Sequence, residues 1–278
     1  MKNYIQKTKI LLIICLTLTF IVSFALISPS YLAGAQNNTS MQSSGMKNMA
    51  TNSTNIILVH GAWVDGSSWS KVIPILEKAG HKVIAVQLAL HSLPDDIATV
   101  KRAIDLIGGP VILVGHSYGG IVISNAAYNN PNVKGLVYVA ALAPDKGQSL
   151  GTFVDLTKFP KGFLVFDKGG FIYINSTAFP GAVAQDANAT EADIAAIAQK
   201  PINQSIFAEK SGPPAWKQLP DWYIVSENDH ALPPAVEHQF AKQMNATTIS
   251  LPASHASFLS HPNEVAKVIL DAAKGATK

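Results

Sequence analysis

Short apolar runs alternate with amphipathic segments from residue 55 towards the C terminus. The apolar runs are continuous, which is typical of strands buried on both faces of a sheet. The predicted strands are Ile56–Val59, Lys82–Val86, Val111–Val114, Gly135–Val139, Trp222–Val225 and Thr247–Leu251. The predicted helices are Trp69–Ala79, Asp95–Ile107, Ile121–Ala127, Pro234–Met244 and Asn263–Ala273. This alternation predicts an α/β fold with a mainly parallel central sheet and helices on both faces.

The regular alternation stops between Ala143 and Leu219, where Pro, Gly and aromatic residues follow no clear period. One short helix is predicted inside this stretch, with a capping box at Thr190–Asp193 and an end before Pro201. An insertion at about 144–219, after the fourth predicted strand, is expected to be a lid over the active site or a packed surface excursion. Six phenylalanines favour an apolar lid, although they could also form a small core of their own. They are Phe153, Phe159, Phe163, Phe166, Phe171 and Phe179.

The first 35 residues have the pattern of a secretory signal peptide. Three lysines precede an apolar stretch from Ile10 to Ile27, and Ala33-Gly34-Ala35 offers a small-residue cleavage site. Cleavage after Ala35 predicts a secreted or extracytoplasmic protein. The alternative is an uncleaved N-terminal membrane anchor, because the apolar stretch approaches the length that spans a bilayer.

Residues 36–54 are rich in Asn, Ser, Thr and Met and are predicted to be a flexible linker, which leaves residues 55–278 as the folded domain. The chain has 21 basic and 18 acidic residues, and removal of the leader's three lysines leaves 18 of each. Balanced charge gives no electrostatic argument for binding nucleic acid or an anionic membrane. The single cysteine, Cys15, lies in the leader, so the mature chain is expected to have no disulfide.

The predicted strand Val111–Val114 runs into Gly115-His116-Ser117-Tyr118-Gly119 and then into a predicted helix. A Gly-x-Ser-x-Gly sequence between a strand and a helix is typical of a nucleophile elbow. Glycines at both ends let the strand and the helix approach closely around the serine. Ser117 is therefore the candidate nucleophile. The alternative is a tight turn in which this serine only caps the helix.

A serine nucleophile needs a general base, and the base needs an acid that orients it. His255 follows the last predicted strand and is the candidate base, with His261 as its nearest competitor. The acid is expected after the preceding strand, where both Glu227 and Asp229 occur. Asp229 is preferred because it lies deeper in the turn. Asp145, after the fourth predicted strand, is a further alternative.

An oxyanion hole needs two backbone donors. The expected donors are the N–H groups of Tyr118, after the nucleophile, and Ala62, in the loop after the first strand. Gly61 allows that loop to turn tightly, and His60 is expected to brace it by hydrogen bonding without taking part in the chemistry. No metal-ligand cluster, P-loop or dinucleotide pattern is present, so no metal or cofactor is expected. The candidate substrate-binding residues are Trp63 and Phe258.

In combination and in order, these motifs resemble the α/β-hydrolase superfamily. The resemblance is to the branch of bacterial cofactor-free esterases, plant methylesterases and hydroxynitrile lyases, and it covers the chain from about Asn55 to its end. It implies a cap over the site and ester hydrolysis through an acyl-enzyme, and it favours Asp229 over Glu227 as the acid. The motifs are His60–Trp63, Gly115–Gly120, Ala143–Ser149, the Asp229 loop and Ser254–Ala256.

The chain departs from the lyases of this branch at two positions. Those lyases carry a threonine where Gly61 stands and a lysine where Ala256 follows the candidate base. The expected function is therefore hydrolysis of small to medium apolar carboxylic esters. A carbon–carbon lyase and a ligand-binding member with little turnover are the alternatives, and a small-molecule ester is the only partner predicted.

Overall fold

The computed structural model describes residues 54–275 of the chain. The predicted signal peptide and all but the last residue of the predicted linker lie outside the described residues. Within residues 54–275, no helix combines the length and the hydropathy that a membrane span requires.

Nine strands and nine α-helices occur within the described residues, together with several 3₁₀ turns. The strands are β1 Asn55–Val59, β2 Val83–Ala85, β3 Val111–His116, β4 Val133–Val139, β5 Leu164–Phe166, β6 Phe171–Ile174, β7 Ile202–Asn203, β8 Asp221–Ser226 and β9 Thr247–Leu251. The helices are α1 Ile73–Lys78, α2 Leu93–Ile107, α3 Gly119–Ala126, α4 Leu150–Phe153, α5 Phe179–Val183, α6 Ala189–Ala198, α7 Pro234–Met244, α8 Ser257–Ser260 and α9 Pro262–Gly275.

Six strands form a central sheet in the order β2-β1-β3-β4-β8-β9, and all its neighbours pair in parallel. Successive residues of one strand pack into two separate apolar cores, as the two-residue period of a strand requires. Ile57 and Leu113 belong to one core, and their neighbours Ile56 and Ile112 belong to the other. The predicted parallel α/β fold is confirmed, and its sheet is covered by apolar packing on both faces.

The carboxyl ends of β1, β3, β8 and β9 lead into the segments that carry the candidate site residues. Ser117 follows β3, the loop with Ala62 follows β1, Asp229 follows β8 and His255 follows β9. Carboxyl ends of parallel strands meet at one edge of the sheet, which is where open α/β sheets bind their ligands. The topology therefore gathers four distant stretches of sequence at one place.

Two helix predictions are wrong at their N-terminal ends. The helix expected from Trp69 begins as a 3₁₀ turn, Gly66–Trp69, in which the Asp65 side chain accepts from the Ser67 N–H. Regular α-helix begins only at Ile73. The capping box expected at Thr190 is replaced by a cap at Asn188, whose side chain accepts from the Thr190 N–H.

Between β4 and β8 the chain forms the antiparallel sheet β5-β6-β7 together with α4, α5 and α6. The segment 181–186 of this insertion bonds to both loops that carry the candidate acid and base. This connection consists of four hydrogen bonds. They run from His230 Nδ1 to Gly181 O at 2.9 Å, from Ala256 N to Val183 O at 2.9 Å, from Gln185 Nε2 to Asn228 O at 2.5 Å and from Ser254 N to Asp186 Oδ2 at 2.9 Å. This end of the insertion is therefore anchored to the loops beneath it.

Candidate active site

Ser117 occupies the sharp turn between β3 and α3 with a φ of 52°. This left-handed conformation is sparsely populated by residues other than glycine and persists only where the surrounding structure holds it. Two backbone bonds hold it here. The Ser117 N–H donates to Val139 O at 3.2 Å, and the Leu142 N–H donates to Ser117 O at 3.1 Å. The end of β4 thus fixes the turn.

Three glycines allow the backbone to close around this turn. A Cβ on Gly115 would lie 2.7 Å from Gly119 O, and a Cβ on Gly119 would lie 2.7 Å from Val59 O. A Cβ on Gly61 would lie 2.7 Å from the Cβ of Ser117. Any side chain at these positions would push apart the strand, the helix or the loop after β1.

His255 and Asp229 form a buried pair, with Nδ1 of the imidazole 2.5 Å from Oδ2 of the carboxylate. A carboxylate only accepts, so Nδ1 carries the proton, and in the neutral ring Nε2 is left as an acceptor. The other oxygen, Oδ1, accepts the N–H groups of Ala231 at 2.6 Å and Leu232 at 2.8 Å. Ser117 and His255 line the same pocket. These bonds orient the carboxylate and hold the imidazole in one tautomer.

The competing candidates have other partners. Glu227 is exposed and lies 3.0 Å from Nε2 of His238. Asp145 is exposed and pairs with Lys217, with Nζ 2.5 Å from Oδ2. His261 Nδ1 lies 2.9 Å from the Ser260 hydroxyl, at the start of α9. The structure brings none of these three candidates into the pocket that Ser117 lines.

His60 braces the loop after β1 through both ring nitrogens. Nδ1 donates to Gly61 O at 2.8 Å, and Nε2 accepts the N–H of Leu88 at 2.9 Å. Burial lowers the pKa of His60 to about 4, so the ring stays neutral at ordinary pH. In a planar trans peptide, the C=O of Gly61 and the N–H of Ala62 point in opposite directions. The bond to Gly61 O therefore orients the Ala62 N–H.

The backbone N–H groups of the two expected oxyanion donors are available to bind a ligand. Within residues 54–275, the backbone N–H groups of Ala62 and Tyr118 donate to no protein acceptor. Both residues line the pocket beside Ser117. The Tyr118 N–H also lies at the N-terminal end of α3, where the helix dipole favours negative charge. Two unpaired backbone N–H groups beside a serine are the arrangement that an oxyanion hole requires.

His116 supports the base from behind. It is fully buried, and its Nε2 donates to the carbonyl oxygen of His255 at 3.0 Å. The two imidazole rings lie 4.6 Å apart between centroids. Burial, and then the neighbouring His255, lower the pKa of His116 well below its usual value, so this ring is neutral. The elbow and the base loop are therefore tied together by an uncharged contact.

The pocket is small and lined mainly by apolar side chains. Among the described residues that line it, His255 and Tyr118 are the only ones with ionisable side chains. The Tyr118 hydroxyl is occupied, because it donates to Oδ2 of the buried Asp96 at 2.9 Å. Much of the wall comes from the insertion, including Leu150, Val154, Phe159, Phe163, Ile174 and Phe207.

The two predicted substrate-binding residues differ in whether they line the pocket. Trp63 lines the pocket, and its Nε1 donates to Ile172 O of β6 at 2.9 Å, which ties the loop after β1 to the insertion. Phe258 does not line it. The Phe258 ring is fully buried, with its centroid 4.8 Å from those of both Trp69 and His116. Phe258 therefore belongs to the core that supports the elbow, and its prediction as a substrate contact is corrected.

Of the six phenylalanines predicted to favour a lid, Phe159 and Phe163 reach the pocket, and so does Phe207, a seventh phenylalanine of the insertion. Phe179 is buried in the core, Phe153 packs against Phe240 and Phe166 is exposed. The remaining wall residues were missed because Leu, Val and Ile in an irregular stretch have no period that separates pocket positions from core positions.

No group of three or more His, Cys, Asp or Glu side chains that could hold a metal ion occurs within the described part of the chain.

Comparisons with known proteins agree with this architecture. The model of the alpha/beta hydrolase family matches residues 56–268. A pyrethroid hydrolase of Sphingobium wenxiniae is 29% identical over 247 residues, which cover 78% of this chain and 87% of the relative. Polyneuridine aldehyde esterase of Rauvolfia serpentina is 26% identical over 250 residues, which cover 77% of this chain and 94% of the relative.

Solved structures show the same fold. The crystal structure of a pyrethroid hydrolase from Sphingobium faniae superposes with a TM-score of 0.69 at 27% identity, covering 80% of this chain and 97% of that one. The family model spans most of the chain, and the two relatives described above are named as a hydrolase and an esterase. The chain belongs to the α/β-hydrolase family and is a carboxylic ester hydrolase of its esterase branch.

Proposed function

We propose that this protein is a secreted serine esterase that cleaves small to medium apolar carboxylic esters through an acyl-enzyme. One observation carries the proposal. A serine in a strained elbow shares an apolar pocket with an imidazole whose Nδ1 is held by a buried carboxylate. Secretion is supported by the leader pattern, in which Lys2, Lys7 and Lys9 precede an apolar stretch and then Ala33-Gly34-Ala35.

In the first step, the Ser117 oxygen attacks the carbonyl carbon of the ester while Nε2 of His255 takes the hydroxyl proton. Asp229 stabilises the imidazolium that forms. The tetrahedral intermediate collapses when the carbon–oxygen bond to the alcohol breaks, and the imidazolium returns the proton to the leaving alcohol. In the second step, water attacks the acyl-enzyme while His255 takes one of its protons. The bond between the acyl carbon and the Ser117 oxygen then breaks, the imidazolium returns the proton to that oxygen, and the carboxylic acid leaves.

The developing negative charge falls on the former carbonyl oxygen in both steps. The N–H groups of Ala62 and Tyr118 are suited to bind it, because both are preorganised and unpaired beside Ser117. Donors that are already in place cost no reorganisation during the reaction. Hydrogen bonds that strengthen as charge develops raise kcat rather than merely improving binding.

The pocket supports a neutral substrate. Among the described residues, its lining offers no Lys or Arg to pair with a carboxylate, and the Tyr118 hydroxyl is bonded to Asp96, which leaves the proposed base. Burying an unpaired charge among such side chains is costly. Gly61 argues against the lyase alternative, since a threonine there would place its Cβ 2.7 Å from the Cβ of Ser117.

The direct test of this proposal is hydrolysis of p-nitrophenyl butyrate by the chain from Gln36 onwards and by its Ser117→Ala variant. We expect turnover in the first protein and a fall in kcat of at least about 10³-fold in the variant, because the nucleophile is lost. Circular dichroism serves as the control for folding. Equal turnover by both folded proteins would refute the role of Ser117, and no turnover by either would favour a binding function.

Replacement of His60 tests the bracing of the oxyanion loop. His60→Leu removes the donor to Gly61 O, so we expect kcat to fall by about 10- to 100-fold with little change in KM. His60→Asn is the matched variant, because its amide nitrogen stands near the position of Nδ1 and can still donate to Gly61 O. We expect the asparagine variant to retain most of the kcat. Equal losses in both variants that follow their melting temperatures would indicate a purely structural role.

A pair of esters of similar shape tests the polarity of the pocket. Monomethyl succinate carries a carboxylate where methyl 4-methylpentanoate carries an isopropyl group. We expect kcat/KM for the charged ester to be lower by at least about 100-fold, because its carboxylate loses water without gaining a partner. The measurement is release of methanol near neutral pH. Comparable values for the two esters would mean that the acyl chain remains in solvent.

A further inference from the structure

A second carboxyl group is buried against the acid of the proposed active site. Glu237 lies in the first turn of α7 and is fully buried, and its carboxyl group interacts with that of Asp229. Its Oε2 accepts the backbone N–H of Ser226 at 3.0 Å. Its Oε1 has no hydrogen-bond partner within the described residues. None of the roles assigned above accounts for this group.

The charges around Glu237 disfavour its ionised form. The acidic groups that act on it are Asp229 and, more weakly, Glu227. Glu227 is itself paired with His238 at the exposed edge of α7. Tyr223 of β8 also faces it, and that hydroxyl donates to Ala141 O. Burial first, and then the charge of Asp229, raise the pKa of Glu237 to about 10.

The hydrogen bonds indicate which of the two carboxyl groups holds the proton. Asp229 accepts three N–H donors, from Ala231, Leu232 and His255, so both of its oxygens already act as acceptors. Glu237 accepts only one. Two buried carboxyl groups that interact in this way share a proton, because the ionisation of both is costly. A proton on Oε1 of Glu237 would give that unpartnered oxygen an acceptor in Asp229.

We propose that Glu237 is a positioning residue whose carboxylic acid O–H donates to Asp229 and thereby holds the Asp229–His255 pair in place. This inference rests on the esterase function proposed above. No covalent bond changes in this role. Loss of the proton to solvent at alkaline pH leaves two facing carboxylates, which repel each other and release the orientation of the imidazole. Activity is therefore full while Glu237 is protonated and falls as the pH rises through its ionisation.

The variant that tests this role is Glu237→Gln. Its amide oxygen can accept from the Ser226 N–H and its amide N–H₂ can donate to Asp229, but the amide does not ionise. We expect wild-type kcat for ethyl butyrate to fall by about tenfold between about pH 8 and about pH 11, following a single titration. Expressed relative to its own value at about pH 8, the kcat of Glu237→Gln should fall by less than about twofold over the same range.

Glu227→Gln is the matched control, since it removes a nearby carboxylate that is exposed and paired with His238. Its alkaline profile should follow that of the wild type. Released acid is titrated against a no-enzyme blank, and circular dichroism at each pH excludes unfolding. An unchanged alkaline fall in Glu237→Gln would overturn the positioning role.

Difference infrared spectroscopy of the wild type against Glu237→Gln gives a readout that needs no activity. We expect a carbonyl band of a protonated carboxylic acid near neutral pH that Glu237→Gln lacks, and that disappears from the wild type at strongly alkaline pH. Absence of this band near neutral pH would show an ionised Glu237 and overturn the inference. If the protein hydrolysed no ester, the band would still decide the protonation state, so the two proposals can fail separately.

Discussion

The proposed site depends on one backbone constraint, which is the close approach of three segments around the left-handed turn at Ser117. The φ of 52° at this residue is unfavourable for a side chain with a Cβ, and it is held by hydrogen bonds to the end of β4. Gly61, Gly115 and Gly119 leave the space in which the loop after β1, the strand and the helix meet. The unpaired N–H groups of Ala62 and Tyr118 lie beside the serine for the same reason.

Buried imidazoles extend this rigid arrangement without adding charge. His60 fixes the peptide that carries the Ala62 N–H, and His116 fixes the backbone of the base. Burial lowers the pKa of both, so both remain neutral in the proposed mechanism, in which His255 gains and loses a proton. A neutral group also supports Asp229, the proposed acid. This group is the carboxyl of Glu237, whose pKa is raised by burial, so that it stays protonated. Neutral supports of this kind hold the pair without competing for its proton.

The positions of Ser117, Asp229 and His255 could be predicted because each follows a buried strand with a clear apolar signature. The parallel topology then brings their loops together whatever lies between them. Phe258 was misplaced for a related reason. It lies three residues after the base, but α8 turns its ring into the core against Trp69. The sequence pattern near a site does not determine the direction of a side chain.

The insertion was the least predictable part of the chain. Phe159 and Phe163 reach the pocket whereas Phe179 fills the core, and the local sequence does not distinguish them. Their positions depend on the long-range pairing of β5, β6 and β7 and on the bonds between segment 181–186 and the loops below. Glu237 was missed because an acidic residue in the first turn of a helix is ordinarily exposed and interacts with the helix dipole. Only the packing of α7 against β8 reveals its burial.

The proposed mechanism requires that Ser117 carries the acyl group during turnover. Mass spectrometry of the protein quenched in acid during hydrolysis of p-nitrophenyl butyrate, followed by peptide mapping, measures this acyl group. We expect a butyryl group on the peptide that contains Ser117, and its absence from Ser117→Ala. An acyl group on another residue, or undiminished turnover without acylation of Ser117, would refute the mechanism.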